Sequence, residues 1–223
     1  RKALNALELL ISAASYGDIP VITGDMAKQV AQRSSNRFDN GGDVHYNLLS
    51  ALQKSIRGSD ENAALHYLAR LLDADGMLPA IRRLLIIACE DIGLAYPQAI
   101  PIVKACCDIA LQTGLPEARI PLADGVILLA TAPKSNSGEL AINAAFDRVQ
   151  TGGYGDVPDY LKDKANPAQK GLSAEERYKY PHDYPNHWVE QRYLPVEIRG
   201  DIYYKYGENK IEQAAKAYWD RIK

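Results

Sequence analysis

Apolar residues recur along this chain at helical spacing almost from end to end. Leu4, Leu7, Leu10, Ile11 and Ala14 mark one face of a first helix, which Gly17-Asp18-Ile19-Pro20 ends. Thr23 is placed to cap a second helix running to about residue 34, with Asp25 in its first turn. The polar stretch 34–42 closes on two glycines and is the best boundary in the chain.

Beyond it, Asp43 is expected to cap a helix with a buried face of Tyr46, Leu49, Leu52 and Ile56, and Gly58 to supply its left-handed terminus. Asp60 restarts a helix through Leu65, Leu68 and Leu72, stopped at Asp75-Gly76. Prolines and glycines then punctuate the pattern. Pro79 opens 81–91, closed by Gly93; Pro97 and Pro101 open a helix ending at Gly114; Pro121 starts 122–131. Ser137 is expected to cap 139–150, which Gly152-Gly153 terminates.

The texture changes after Gly153. Residues 154–207 are rich in Tyr, Pro and Lys, and Tyr180-Pro181 and Tyr184-Pro185 push the chain toward extended geometry. Such a segment is expected to lie on a helical core and bury its rings there, with strand confined to short pieces. A final helix is capped by Asn209, with Glu212 completing a capping-box-like pair and Ile211, Ala215, Tyr218, Trp219 and Ile222 as its buried stripe. The fold class is all-α, and no fixed-period repeat argues for a solenoid.

Composition narrows the function classes. At 47% apolar and 24% charged, the 223 residues are ordinary globular material that buries a core without staples. A net charge of −2 leaves no global basic field, so a nucleic-acid site has to be a local patch. No stretch approaches the roughly 18 apolar residues of a membrane span. The start carries no signal-peptide pattern and opens inside a helix without Met, which predicts a piece of a longer protein. Three cysteines, with Cys106 and Cys107 adjacent, suit reduced thiols in a cytoplasmic protein better than a disulfide framework.

Motifs with chemistry are few. There is no phosphate loop, so this chain alone is expected not to hydrolyse nucleotides, and no Gly-x-Ser-x-Gly elbow for a serine nucleophile. Leu84 to Asp91 resembles an apolar strand with a magnesium-binding acidic pair, but Arg82-Arg83 and Pro79 make it read as a buried helix with acids near its end. Cys89, Cys106 and Cys107 lack zinc spacing and read as core packing. His182 and His187 flank Asp183 in what reads as a structural loop, so no metal site is expected. Ser135 and Ser137 read as helix-capping chemistry, with Lys134 at a helix N-terminus as an alternative anion site. Tyr154, Tyr160, Lys162, Lys164, Lys170, Arg177, Tyr178, Lys179 and Tyr180 have the residue types to stack bases and pair phosphates. Interspersed acids (Asp156, Asp159, Asp163, Glu175, Glu176) weaken that field, and a solvated rim around packed tyrosines is the competing reading.

Several long strings in order resemble one family. They are the run from His45 to Asp60, Cys89-Glu90-Asp91-Ile92-Gly93-Leu94-Ala95, Ala132-Pro133-Lys134-Ser135-Asn136, the run from Tyr178 to Pro185, and Gln191-Arg192-Tyr193-Leu194-Pro195. Together they resemble the C-terminal half of the MgsA/RarA family of AAA+ ATPases (replication-associated recombination protein A), bacterial relatives of the Werner-helicase-interacting ATPase. The resemblance implies that residues 1–40 are the remnant of the AAA+ lid and 41–223 a helical oligomerisation domain that forms a homotetramer. Arg1-Lys2-Ala3-Leu4-Asn5 matches the end of the family's lid string, which places Arg1 at its second nucleotide-sensing arginine. It implies no catalytic residue and no cofactor in this chain, and ATP and Mg in the parent. It also implies DNA-dependent ATP hydrolysis in replication-fork maintenance, recombination and repair, contact with single-stranded-DNA-binding protein, and a cytoplasmic, nucleoid-associated location. The contrasting reading from another class is a stand-alone nucleic-acid-binding module using 154–180.

Overall fold

The computed structural model describes Ile11, residues 23–26, and residues 42–223 except Lys164 and Ala174, with side chains described from His45 onward within the latter span. The first helix and most of the second therefore lie outside the described residues. Thr23 does cap: its Oγ1 accepts from the Met26 N–H at 3.3 Å.

Seven α-helices follow: α1 (Gly42–Arg57), α2 (Glu61–Asp73), α3 (Met77–Ile87), α4 (Ala99–Thr113), α5 (Arg119–Thr131), α6 (Ser137–Thr151) and α7 (Lys210–Trp219). Among the described residues there is no strand. None of their helices is long and apolar enough to cross a membrane.

The punctuation is legible but offset. Pro79, Pro101 and Pro121 each take the third position of their helix, not the first. The first four N–H groups of a helix have no intrahelical acceptor, so a proline there costs no hydrogen bond. Asp60 caps α2 as expected, accepting from the Ala63 N–H at 2.8 Å. Asp60→Ala is expected to lower stability by about 1 kcal/mol in urea unfolding; an unmoved midpoint would show that the exposed N–H is as well served by water. Asp43 falls inside the first turn of α1 instead of capping it. The left-handed residues are Ser59 and Asp75, at φ 59 and 57, not Gly58. In both turns the next N–H reaches back five residues, Asp60 to the Ser55 carbonyl and Gly76 to that of Leu71.

The chain divides into two compact units. The first, Arg1–Leu85 with Val103–Thr131, packs α1 against α2 and α5, and α2 against α5. Leu48, Leu49, Leu52 and Ile56 from α1, Leu68 and Leu71 from α2, and Leu122, Val126 and Leu129 from α5 are buried. Tyr46, expected in this stripe, is 71% exposed, because the apolar seam runs through Leu48 and Leu49.

The second unit is Ile86–Ile102 with Ala132–Lys223. Here α3 ends in a π turn (Ala88–Ile92) and a 3-10 turn (Gly93–Ala95), so the acidic pair Glu90 and Asp91 sits in a helical terminus as expected. Gly93 has φ 44 and ψ −125, a conformation open to glycine. The Tyr/Pro-rich segment is irregular, with short 3-10 turns, and is tied to α6 by Arg148. Its guanidinium contacts Asp201 at 2.9 Å and donates to the carbonyls of Gly152 and Gly153 at the helix C-terminus.

Two expectations about burial are corrected. Cys107 is buried, but Cys89 is exposed and does not pack in a core. In α7 the residue that is buried is Glu212, while Ile211 and Tyr218 of the expected apolar stripe are exposed.

Candidate functional site

Two places in the second unit gather the chain's polar chemistry. The first is the start of α6. Its N-cap is Asn136, with no side-chain cap bond, and Ser137 is the first helical residue. Ser137 therefore does not cap as expected. Its hydroxyl donates instead to Glu212 Oε1 at 2.5 Å, and the Ser135 hydroxyl donates to Glu212 Oε2 at 2.6 Å. Tyr204 adds a third donor at 2.8 Å and Asn209 Nδ2 a fourth. The Asn209 side-chain Oδ1 still accepts from the Glu212 N–H at 3.0 Å, so half of the expected capping box forms.

The helix N-terminus that offered an alternative anion site at Lys134 thus receives a carboxylate of the chain itself. Glu212 is 2% exposed. Burial pushes its carboxyl up, but the hydrogen bonds from Ser135, Ser137, Asn209 and Tyr204 outweigh this and hold it down to about 2. Partial burial of its hydroxyl, with the hydrogen bond to Glu212 and the charge there, raises Tyr204 to about 12. Lys134 turns into the protein and donates to the Ala132 carbonyl at 2.7 Å; burial lowers its ammonium, against the field of Asp91. The Ser135 N–H is held by the Asp91 carbonyl at 2.8 Å, which ties the π turn to this loop.

Gly207 completes the pocket around the carboxylate. A Cβ there would lie 2.5 Å from Glu212 Oε2 and 3.1 Å from Ser135 Oγ. Gly207→Ala is expected to cost about 1–3 kcal/mol in thermal unfolding, as the carboxylate is displaced from its donors. A melting temperature equal to the parent's would mean the side chains give way freely.

The second place is a cleft of about 870 Å³ lined by Tyr160, Lys162, Lys170, Arg177, Tyr178, Tyr180 and Tyr193, with Leu161 and Gln169. Gln169 builds its floor by donating to the carbonyls of Asp159 and Lys162 at 2.9 and 2.8 Å. Gln191 ties two extended runs together: it accepts from the Lys179 N–H at 3.0 Å, donates to the Lys179 carbonyl at 2.9 Å, and contacts the Tyr193 hydroxyl at 2.8 Å. Tyr160 donates to the Arg192 carbonyl. Tyr178, Tyr180 and Tyr193 are exposed, which corrects the expectation of rings packed away on a core.

The sequence-derived cations divide accordingly. Lys162, Lys170 and Arg177 come together, although Lys162 is engaged by Asp156 and Asp159 at 2.9 and 2.7 Å. Lys179 takes part through its backbone. Lys134 belongs to the other place, and Arg1 and Lys164 lie outside the described residues. His182 lies in tilted contact with Tyr180 and His187, with ring centroids 5.0 and 4.9 Å away. No cluster of three or more potential metal ligands occurs among the described residues. Sequence reasoning missed Gln169, Gln191, Tyr193 and Tyr204 as site residues, and no local pattern marks them.

Comparison with known proteins gives a consistent result. Residues 58–223 match the family described as MgsA AAA+ ATPase C terminal, and residues 1–57 match AAA C-terminal domain. Replication-associated recombination protein A of Bacillus subtilis is 50% identical over 226 residues, covering 100% of this chain and 53% of that protein. The protein of that name in Escherichia coli K12 is 37% identical over 208 residues, 92% of this chain and 46% of its own length. ATPase WRNIP1 of Dictyostelium discoideum is 33% identical over 189 residues, 83% of this chain and 22% of its own. The chain spans about half the length of the bacterial relatives named here.

Proposed function

This chain belongs to the MgsA family of AAA+ ATPases, and we propose that it is the non-catalytic region through which such an ATPase assembles into a homotetramer. In this reading residues 1–40 belong to the lid, with Arg1 at its nucleotide-sensing position, and 41–223 form the oligomerising region. The parent protein carries ATP and Mg, hydrolyses ATP in response to DNA, and serves replication, recombination and repair in the cytoplasm and at the nucleoid. Single-stranded-DNA-binding protein is its further partner.

One observation carries the assembly role. Helix α6 buries only Ser137 and leaves Leu140, Ile142, Phe146 and Val149 exposed, Phe146 by 60%. Ile142, Phe146 and Val149 follow i, i+4, i+7 spacing and so share a face. A helix gains most of its stability from covering such a face. Ile86 of α3 and Ile127 of α5 are exposed as well. An exposed apolar helix face such as that of α6 marks an interaction site. The solution mass of the chain tests the reading.

A further inference from the structure

The geometry points to a binding site for single-stranded nucleic acid in the cleft between Tyr160 and Tyr193, with bases stacked on the tyrosines and phosphates held by Lys170 and Arg177. This goes beyond the assembly role and does not depend on it.

Charge comes first. Net charge and interspersed acids argue against a basic surface here, yet the cleft collects Lys162, Lys170 and Arg177 and no acidic lining residue among those described. Four of the five interspersed acids are held in local contacts. Asp156 and Asp159 both pair with Lys162. Glu176 folds back to accept from the Ser173 N–H at 2.9 Å, and Asp163 accepts from the Ala165 N–H at 2.8 Å. That leaves the two exposed cations Lys170 and Arg177 to face the cleft without a carboxylate on its walls.

Shape and ring exposure come second. Four tyrosines line one cavity, and three of them are exposed. Rings meant for a core are covered; rings held open at a rim by hydrogen-bonded backbone are platforms. Gln191 fixes the runs bearing Tyr178, Tyr180 and Tyr193, and the Tyr160 hydroxyl is anchored to Arg192. The platforms are therefore set in place before a ligand arrives, which lowers the ordering cost of binding. Aromatic faces alternating with cations is how sequence-tolerant single-strand sites work, since every base offers a π face. A duplex hides its bases and cannot use the tyrosines. An acidic peptide would satisfy the two cations but leave four rings without flat partners.

The test uses the whole chain and fluorescence anisotropy with labelled oligothymidylate, an equally long duplex, and polyglutamate. The single strand is expected to bind, and more tightly than the duplex. Lys170→Glu with Arg177→Glu should weaken it at least tenfold and flatten the log-log salt dependence by about 1.4, the slope of two lost phosphate contacts. Tyr178→Leu should weaken it about tenfold and leave the salt slope alone. Lys205→Glu, an exposed lysine outside the cleft, should change affinity less than twofold. On the unaltered chain, photocrosslinking of an iodouracil-bearing strand should map to peptides holding Tyr178, Tyr180 or Tyr193. Adducts confined to other peptides, equal binding of duplex, or preference for polyglutamate would overturn the proposal. A monomeric chain that binds in this cleft would overturn only the assembly reading.

Discussion

Glu212→Ala unfolds at markedly lower denaturant than the parent chain, with an expected loss of about 3 kcal/mol. The substitution removes the acceptor shared by Ser135, Ser137, Tyr204 and Asn209 and empties a site that is 2% exposed. Four donors then face a void, and α7 loses its anchor to the loop before α6. Glu212→Gln keeps the shape but offers one oxygen in place of two, and is expected to lose about 1–2 kcal/mol. Acid supplies an independent check. The Glu212 carboxyl is held from its ordinary 4.5 down to about 2. A depressed carboxyl stabilises the fold above its unfolded value, and that contribution drains away as pH falls through the folded one. On the order of 3 kcal/mol should be lost between these two limits, and Glu212→Gln should lack that part of the acid dependence. Parallel acid titrations of stability for the two proteins would remove Glu212 from its central place.

The helices were legible because their apolar spacing and punctuation are local. Their limits were not fully legible, since a proline is tolerated anywhere in the first turn and here sits two residues inside α3, α4 and α5. Ser137 and Glu212 were each read with the right chemistry and the wrong partner. A serine at a helix start and a glutamate three residues after Asn209 both satisfy capping rules, and nothing in either neighbourhood announces a hydrogen bond across 75 residues of sequence. The tyrosines misled for a related reason. Aromatic content signals buried area, but the cleft is built by Gln169 and Gln191, whose amides replace backbone pairing between segments. The family strings were the strongest signal. Cys89 to Ala95 and Ala132 to Asn136, read separately in the sequence, meet at the Ser135–Asp91 backbone bond.

Ile142→Asp combined with Phe146→Asp should have the larger consequence for assembly. Both side chains are exposed in the single chain, so the fold itself should change by no more than about 0.5 kcal/mol. At an interface each new carboxylate would be buried without a partner, at about 3–5 kcal/mol per site, or roughly a hundredfold to a thousandfold in affinity. An obligate interface of roughly 2,000 Å² or more would not survive two such changes in each subunit. The variant should be a soluble monomer with an unaltered helical circular-dichroism spectrum. If it assembles like its parent, the α6 face is not where subunits meet.

The measurement that decides the account is the mass of the unaltered chain by multi-angle light scattering at micromolar concentration. The assembly reading predicts roughly four times the 24.6 kDa of one chain. A single species at 24.6 kDa across the concentration range would contradict it.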